Sequence, residues 1–158
     1  MSCGFFVSGQ RVSFRSMVPA DLDEVMAIER TSFRHPWSSN FFLEELQVAC
    51  ARSVLAQLND KIVGYVLFWL LPETVDIHNI AVHTGFRRQR IGQALLRQVF
   101  EQARSRHLSR VTLEVRISNI AAQKLYESVG FVSQGLRKGY YSDDGEDAMI
   151  MALELDHR

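Results

Sequence analysis

The chain has 158 residues, of which 47% are hydrophobic and 23% are charged. This length is enough for one domain with a sizeable core and too short for two ordinary domains, so we expect a single domain over residues 1–158. The 18 Lys and Arg residues balance the 18 Asp and Glu residues. An even balance disfavours a surface built to attract nucleic acid or an anionic membrane, so neither partner is expected and any affinity for phosphate must be local.

Targeting, redox and metal signals are weak. The longest apolar run, IVGYVLFWLLP (62–72), has the length of a strand, and the N-terminal residues lack the pattern of a secretory signal, so a cytoplasmic location is expected. Cys3 and Cys50 have no CxxC spacing and are expected to be reduced thiols. The five histidines fall in no metal-ligand spacing, and no metal is predicted.

The first third of the chain predicts one strand and two helices. RVSFRSM (11–17) alternates as a strand does, and PADLDEVMAIERTSF (19–33) has apolar residues at helical spacing. The HPW stretch (35–37) should interrupt the helix, because Pro36 has no backbone donor and restricts the residue before it. Ser38 or Ser39 can then cap a second helix from Asn40 to about Cys50.

The middle of the chain predicts three antiparallel strands, a helix and a further strand. SVLAQLND (53–60) and KIVGYVLFWLL (61–71) meet at Asn59 and Asp60, a hairpin signal, and TVDIHNIAV (74–82) follows as a third strand. An amphipathic helix begins at about Ile91, and RVTLEVR (110–116) then alternates as a strand.

The last third predicts a helix that begins after a capping Asn119 and ends at Gly130, followed by two strands around DDGED (143–147). Together, the predicted elements are about seven strands and four helices. Because residues 75–116 form a strand, helix, strand crossover, we expect an α/β fold with a mixed sheet and helices on both faces.

RRQRIGQALL (87–96) is the first candidate for chemistry, and it has three interpretations. The first amides of a helix beginning near Ile91 have no partner inside that helix, so they can bind phosphate, with Gly92 allowing close approach. Arg87, Arg88 and Arg90 add positive charge at the same place. The alternatives are a solvated basic helix start and a nucleic-acid patch, and the neutral net charge disfavours the latter.

Three other residues are candidates for a site. Glu114 lies within a strand expected to be central, where a carboxylate must be solvated, paired or used as a base. Asn119 and Tyr126 are seven residues apart on one helix face and can line one groove. The simpler interpretations are a salt-bridged Glu114, an Asn119 that only caps its helix and a Tyr126 that belongs to the core.

These segments resemble a known family. RRQRIGQALL resembles the acetyl-coenzyme A signature of the GNAT acetyltransferases, (R/Q)xxGx(G/A), with Arg87 at the first position and Gly92 at the last. The first glycine of that signature is replaced by Arg90. HPWS (35–38), NIAV (79–82), LEVRISNIAAQKLYESVGF (113–131) and RKGYYSDDGEDAMIMAL (137–153) resemble the bacterial branch of the family that acetylates the N-terminal alanine of ribosomal proteins.

The resemblance implies the GNAT fold, with a splayed mixed sheet, and direct transfer of acetyl from acetyl-coenzyme A to an N-terminal α-amine. Glu114 is then the general base, and Tyr126 is the general acid and also lies at the cofactor. The other residues implied to contact the cofactor are Ile80, Ala81, Val82, Arg87, Arg88, Gln89, Arg90, Ile91, Gly92, Gln93 and Asn119. The residues implied to border the acceptor peptide are Pro36, Trp37, Tyr140 and Tyr141.

Two other functions stay open. The same fold could acetylate a lysine side chain or a small amine, or the chain could be a noncatalytic acyl-coenzyme A sensor or ribosome-binding module. The DDGED turn is most simply a hairpin tip. Its acidic residues could also attract the basic tail of a ribosomal protein, in which case neutralising them weakens peptide binding in a salt-dependent manner.

Overall fold

Eight strands form one sheet within residues 4–156, the part of the chain described by our computed structural model. The strands are β1 Phe5–Val7, β2 Gln10–Arg15, β3 Ala51–Leu58, β4 Lys61–Leu70, β5 Thr74–Val82, β6 Arg110–Arg116, β7 Val132–Arg137 and β8 Ala148–Glu154. Their order across the sheet is β1-β2-β3-β4-β5-β6-β8-β7. Among the strands in residues 4–156, only β5 and β6 are parallel neighbours, so the predicted mixed sheet is confirmed.

In the described part of the chain, four α-helices accompany these strands: α1 Leu22–Ser32, α2 Ser39–Glu45, α3 Ile91–Ser105 and α4 Ile120–Ser128. The side chain of Ser38 accepts a hydrogen bond from the Phe41 amide, and that of Asn119 accepts one from the Ala122 amide, so both predicted N-caps form. Gly130 follows α4 with φ of 109°, a conformation that suits glycine at a helix end. None of the helices in residues 4–156 has the length and apolarity needed to cross a membrane.

The sheet separates two hydrophobic cores. α3 and α4 pack on one face, where the core includes Leu95, Val99 and Phe131. α1 and α2 pack on the opposite face, where the core includes Val25 and Phe42. Because burial of apolar area is the main stabilising term, covering both faces accounts for the central strand β4, which is buried almost throughout.

Two local predictions differ from the structure. β1 (Phe5–Val7) was not predicted, because three residues are too few to show a period. α2 ends at Glu45 instead of near Cys50. The next residues form turns in which the Val48 amide donates to the Glu45 carbonyl and the Ala51 amide donates to the Val48 carbonyl, so the chain turns into β3.

The sheet opens between its two parallel strands. β5 and β6 are paired from Thr74 and Arg110 only as far as Ile77 and Leu113. One step further, the pairing of β5 with β4 shifts register, and His78 is the extra residue of the bulge. Beyond Ile77 the two strands diverge and leave backbone groups without a ladder partner, as the predicted splay requires.

Candidate active site

A cavity of about 810 Å³ occupies the opening between β5 and β6 and extends to the start of α3. It brings together most of the residues singled out from the sequence. Those that line it are Trp37, Ile80, Ala81, Val82, Arg87, Arg88, Arg90, Ile91, Gly92, Gln93, Glu114, Asn119, Tyr126 and Tyr141. Pro36, Gln89 and Tyr140 do not line it.

The start of α3 presents open amides to this cavity. The first hydrogen bond of the helix runs from the Ala94 amide to the Arg90 carbonyl, so the amides of Ile91, Gly92 and Gln93 have no partner within the helix. No side chain caps this end. Open amides together with the positive end of the helix dipole form a site for an anion such as a pyrophosphate.

The loop before α3 adopts an unusual backbone conformation. Arg88 and Arg90 have φ of 62° and 66°, in the left-handed region. Glycine enters this region without steric cost, whereas other residues do so at a cost of about 1–2 kcal/mol. Arg90 therefore has a backbone conformation that glycine favours, at the position of the signature glycine that it replaces, and adds a guanidinium group.

Other residues of the signature hold neighbouring elements together. The Arg87 side chain donates to the Val82 carbonyl and to the Ser32 hydroxyl, both at 3.3 Å, which ties the loop to β5 and α1. A Cβ atom on Gly92 would lie 2.9 Å from Leu125 Cδ2. Gly92 therefore allows α3 and α4 to approach closely at the cavity wall.

Glu114 lies on the face of β6 opposite the buried Val111, Leu113 and Val115, as the alternation predicts. Its side chain is 30% exposed, and Oε1 lies 3.7 Å from Nε of Arg137. The carboxylate is thus at the cavity surface with one long ion pair. This position leaves it able to accept a proton from a group in the cavity.

Tyr126 is only 6% exposed, and its ring packs against Phe131 at a centroid distance of 5.7 Å. Burial, with a smaller effect of Tyr141, raises the pKa of the Tyr126 phenol, so it is protonated at neutral pH. Its hydroxyl has no hydrogen-bond partner within residues 4–156. Every fully buried side-chain polar atom in these residues has a partner, so the Tyr126 hydroxyl is not fully buried. The hydroxyl must therefore open onto the cavity as a free donor.

Two amide side chains order the turn between β6 and α4. Besides capping α4 through its own oxygen, Asn119 lies in the cavity wall. Gln123 is buried and donates to the carbonyls of Arg116 and Ile117 at 3.2 and 2.9 Å. These contacts fix the start of α4, and with it Tyr126, relative to β6.

The opposite end of the cavity is walled by aromatic residues from two loops. Trp37, between α1 and α2, packs against Phe41 and Phe42 at centroid distances of 4.5 and 5.2 Å. Tyr141, between β7 and β8, packs edge-on against the exposed Tyr140 at 5.1 Å. Burial raises the pKa of Tyr141 to about 12.

The acidic turn is largely neutralised from within the chain. Arg116 binds Asp143 at 2.7 Å, and Asp144 and Glu146 at 3.0 Å. Asp147 accepts from the Gly139 amide. Because these carboxylates already have partners, the structure weakens the hypothesis that the turn attracts a basic peptide tail.

His35, Asp143 and Asp144 place one ligand atom each within 4.8 Å of one another. This cluster joins the loop before α2 to the loop before β8, with His35 nitrogens 3.5 and 3.7 Å from the two carboxylates. Both aspartates are also bound by Arg116. That the chain uses no metal stays a prediction.

Sequence reasoning missed Glu29, a cavity residue that is only 1% exposed. A signal was present, because Glu29 falls at the helical spacing of the buried residues Leu22, Val25 and Met26. A charged residue within an apolar stripe is a candidate for a satisfied internal network or a site.

A helix start with open amides, a splayed pair of strands, and a carboxylate and a phenol that line one cavity are the features that an acyl-coenzyme A transferase needs. The sequence comparisons agree: residues 22–131 match the acetyltransferase (GNAT) family. The chain belongs to this family, so the predicted family, fold class and enzyme class are confirmed.

Full-length relatives carry a more specific name. A Bacillus subtilis protein provisionally named ribosomal protein bS18-alanine N-acetyltransferase is 37% identical over 146 residues, which cover 92% of this chain and 97% of that protein. The Escherichia coli K12 protein of the same name is 34% identical over 142 residues, covering 89% and 95%. The crystal structure of the ribosomal-protein-S18-alanine N-acetyltransferase from Escherichia coli matches with a TM-score of 0.83 at 32% identity, covering 93% of this chain and 96% of that one.

Proposed function

We propose that this chain transfers the acetyl group of acetyl-coenzyme A to the N-terminal α-amine of a ribosomal protein that begins with alanine. The observation that carries the proposal is the continuous cavity from the open amides of α3, along the splay of β5 and β6, to Glu114 and Tyr126. The names of the full-length relatives support the choice of acceptor. This acceptor implies a cytoplasmic enzyme, and we propose that residues 1–158 act as one domain.

The cofactor fits the cavity by chemistry at three points. The amides of Ile91, Gly92 and Gln93, with the guanidinium groups of Arg88 and Arg90, are suited to the pyrophosphate. The backbone groups of residues 80–82 that are neither paired with β4 nor bound by Arg87 suit the pantetheine amides, which hydrogen-bond as a peptide does. Acetyl-coenzyme A is present in a family member of known structure from Elizabethkingia anophelis, which is 22% identical and shares the fold.

The reaction needs a proton acceptor on the amine side. The acceptor nitrogen attacks the thioester carbonyl, a C–N bond forms, the C–S bond breaks, and one amine proton must leave. An N-terminal amine has a pKa of about 7.7–8.0, so part of it is neutral at pH 7. Glu114, directly or through a water molecule, takes the proton released on attack.

Tyr126 acts on the leaving group. The departing thiolate has a basicity close to that of cysteine, with a pKa of about 8.5, below the ordinary tyrosine value of about 10. Burial raises the pKa of Tyr126 further, so complete proton transfer to the sulfur is uphill. Tyr126 therefore stabilises the developing thiolate chiefly by donating a hydrogen bond, and bulk solvent completes the protonation.

The proposal is tested by determining which acceptor peptide the purified protein acetylates, and at which amine. Four peptides are compared: an alanine-initiated ribosomal-protein N-terminus, its N-terminally blocked form, its serine-initiated form, and an unrelated alanine-initiated peptide. Acetylation is located by mass spectrometry, and thiol release is measured separately. We expect the acetyl group on the free α-amine of the first peptide.

Each alternative predicts a different result. Acetylation of the blocked peptide on lysine would assign the chain to side-chain acetylation. Binding of acetyl-coenzyme A without turnover of any acceptor would favour a noncatalytic sensor. Comparing protein N-termini from cells with and without the gene then identifies the acceptor.

A further inference from the structure

The buried carboxylate of Glu29 lies where two elements of the acceptor end meet. It projects from α1, lines the cavity and is 1% exposed. Removing a carboxylate from water is costly unless its oxygens are hydrogen-bonded. The groups that donate to Glu29 therefore show which parts of the structure the buried carboxylate holds together.

Three groups from separate parts of the chain donate to Glu29. The Tyr65 hydroxyl on β4 donates to Oε1 at 2.6 Å, and the Asn79 amide on β5 donates to the same oxygen at 2.8 Å. The backbone amide of Trp37 donates to Oε2 at 2.9 Å. One carboxylate thus joins α1, the two strands and the loop before α2.

All three donors are neutral. Within residues 4–156 no Lys, Arg or His forms an ion pair with Glu29. Burial and the neighbouring Glu29 raise the pKa of Tyr65, which keeps the phenol as a donor. A carboxylate has two acceptor oxygens, so the Glu29 side chain can accept all three bonds at once.

The Trp37 contact connects this network to the acceptor. The residues before Trp37 include Pro36, which has no amide hydrogen, and the loop from Arg34 to Trp37 has no regular secondary structure. The bond from the Trp37 amide therefore fixes the depth at which the indole enters the cavity wall. Asn79 follows the bulge at His78 in β5, so the same carboxylate sets the distance between the loop and the diverging strand.

We propose that Glu29 is a positioning residue that holds Trp37 against β5 and thereby sets the affinity for the acceptor peptide. This inference rests on the proposed function, because it assigns Trp37 to the acceptor. Glu29 acts on the acceptor through Trp37 and Asn79 and takes no proton from it.

The test is Glu29→Gln, assayed with both substrates varied. Oε1 of the glutamine still accepts from Tyr65 and Asn79, but its Nε2 amide faces the Trp37 amide, so two donors meet and the loop is released. We expect the KM for the acceptor peptide to rise about ten-fold, the magnitude of one charge-assisted hydrogen bond. The KM for acetyl-coenzyme A should stay within about two-fold, because the glutamine oxygen still accepts from Asn79 and so leaves the strand residues that bind the cofactor in place.

The matched control is Glu45→Gln. Glu45 is also buried, accepts from the Trp69 indole at 2.8 Å and lies outside the cavity lining. A glutamine oxygen can accept that single bond, so both KM values should match wild type. Equal effects of the two substitutions would overturn the proposal in favour of a general loss of stability.

Amide exchange in the wild-type protein gives a second measurement that does not require a folded variant. The Trp37 amide should exchange slowly despite its place in a loop. Rapid exchange would overturn the proposal, as would an unchanged acceptor KM in Glu29→Gln. Failure of the wild type to acetylate any α-amine would instead refute the proposed function, so the two failures are distinguishable.

Discussion

The guanidinium carbon of Arg116 lies 3.9 Å from the centre of the Tyr141 ring. Arg116 ends β6, and Tyr141 belongs to the loop that closes over the acceptor end of the cavity. The guanidinium nitrogens also bind three carboxylates of that loop. The planar face of the Arg116 guanidinium thus holds Tyr141, and its nitrogens hold the acidic turn.

Arg116→Lys should loosen this loop while the fold persists. Lysine keeps the charge but has neither the planar surface that stacks on Tyr141 nor the fork that binds several carboxylates. We expect the acceptor KM to rise about three- to ten-fold, in line with the loss of one or two charge-assisted contacts. Hydrogen exchange across residues 139–147 should be faster.

Arg110→Lys is the control for that substitution, because Arg110 begins the same strand and pairs with Glu154 at the exposed opposite end. Exposed pairs contribute little, so kinetics and exchange of the loop should be unchanged. If Arg116→Lys binds the acceptor as wild type does, the loop does not depend on this stacking.

Glu114→Gln and Tyr126→Phe should each lower kcat while coenzyme A binding survives. A positioned acid or base contributes about 10²- to 10⁴-fold. If Tyr126 works mainly as a hydrogen-bond donor, its substitution should fall toward the lower end of that range. Steady-state rates and calorimetric titration with coenzyme A measure the two properties, and wild-type rates in both variants would refute the assigned roles.

Arg90 should lower the free energy of unfolding and raise the affinity for acetyl-coenzyme A. Its φ of 66° favours glycine, so Arg90→Gly should be more stable than Arg90→Ala by about 1 kcal/mol in urea unfolding. Both substitutions remove the guanidinium and should weaken acetyl-coenzyme A binding equally. Equal stability of the two variants would mean that the loop relaxes out of the left-handed conformation when the arginine is removed.

The sequence predicted the parts of the fold that depend on local pattern. The caps at Ser38 and Asn119, the hairpin at Asn59 and the helix from Ile91 each follow from residues within a few positions of one another. Alternation along β6 likewise placed Glu114 opposite the core. Only the resemblance to the family joined these separate elements into one site.

Contacts between distant segments could not be predicted in this way. Glu29 meets Tyr65 and Asn79, 36 and 50 residues away, and Arg116 meets the acidic turn only after β8 has paired with β6. His78 interrupts the alternation of β5 because it is an extra residue opposite β4. Such features depend on the register of neighbouring strands, which a single strand pattern does not contain.

Buried tyrosines should limit stability at high pH. The pKa values of Tyr65, Tyr126 and Tyr141 are raised, in each case chiefly by burial. Above the ordinary value of about 10, the unfolded chain loses phenol protons that the native chain retains. The unfolded state then binds fewer protons, so the free energy of unfolding falls as pH rises.

Urea unfolding at about pH 9, 10 and 11 measures this decline, to which a phenol that stays protonated in the native state, such as that of Tyr126, contributes up to about 1.4 kcal/mol per pH unit. Tyr126→Phe should flatten the slope by about 1 kcal/mol per unit while leaving stability at pH 8 nearly unchanged, since the Tyr126 hydroxyl has no hydrogen bond to lose. The phenolate absorbance that Tyr126→Phe removes should appear in the wild type only as the protein unfolds. An equally steep decline in wild type and Tyr126→Phe would show that the Tyr126 phenol ionises within the folded protein, and would remove the basis for treating it as a permanent hydrogen-bond donor in the active site.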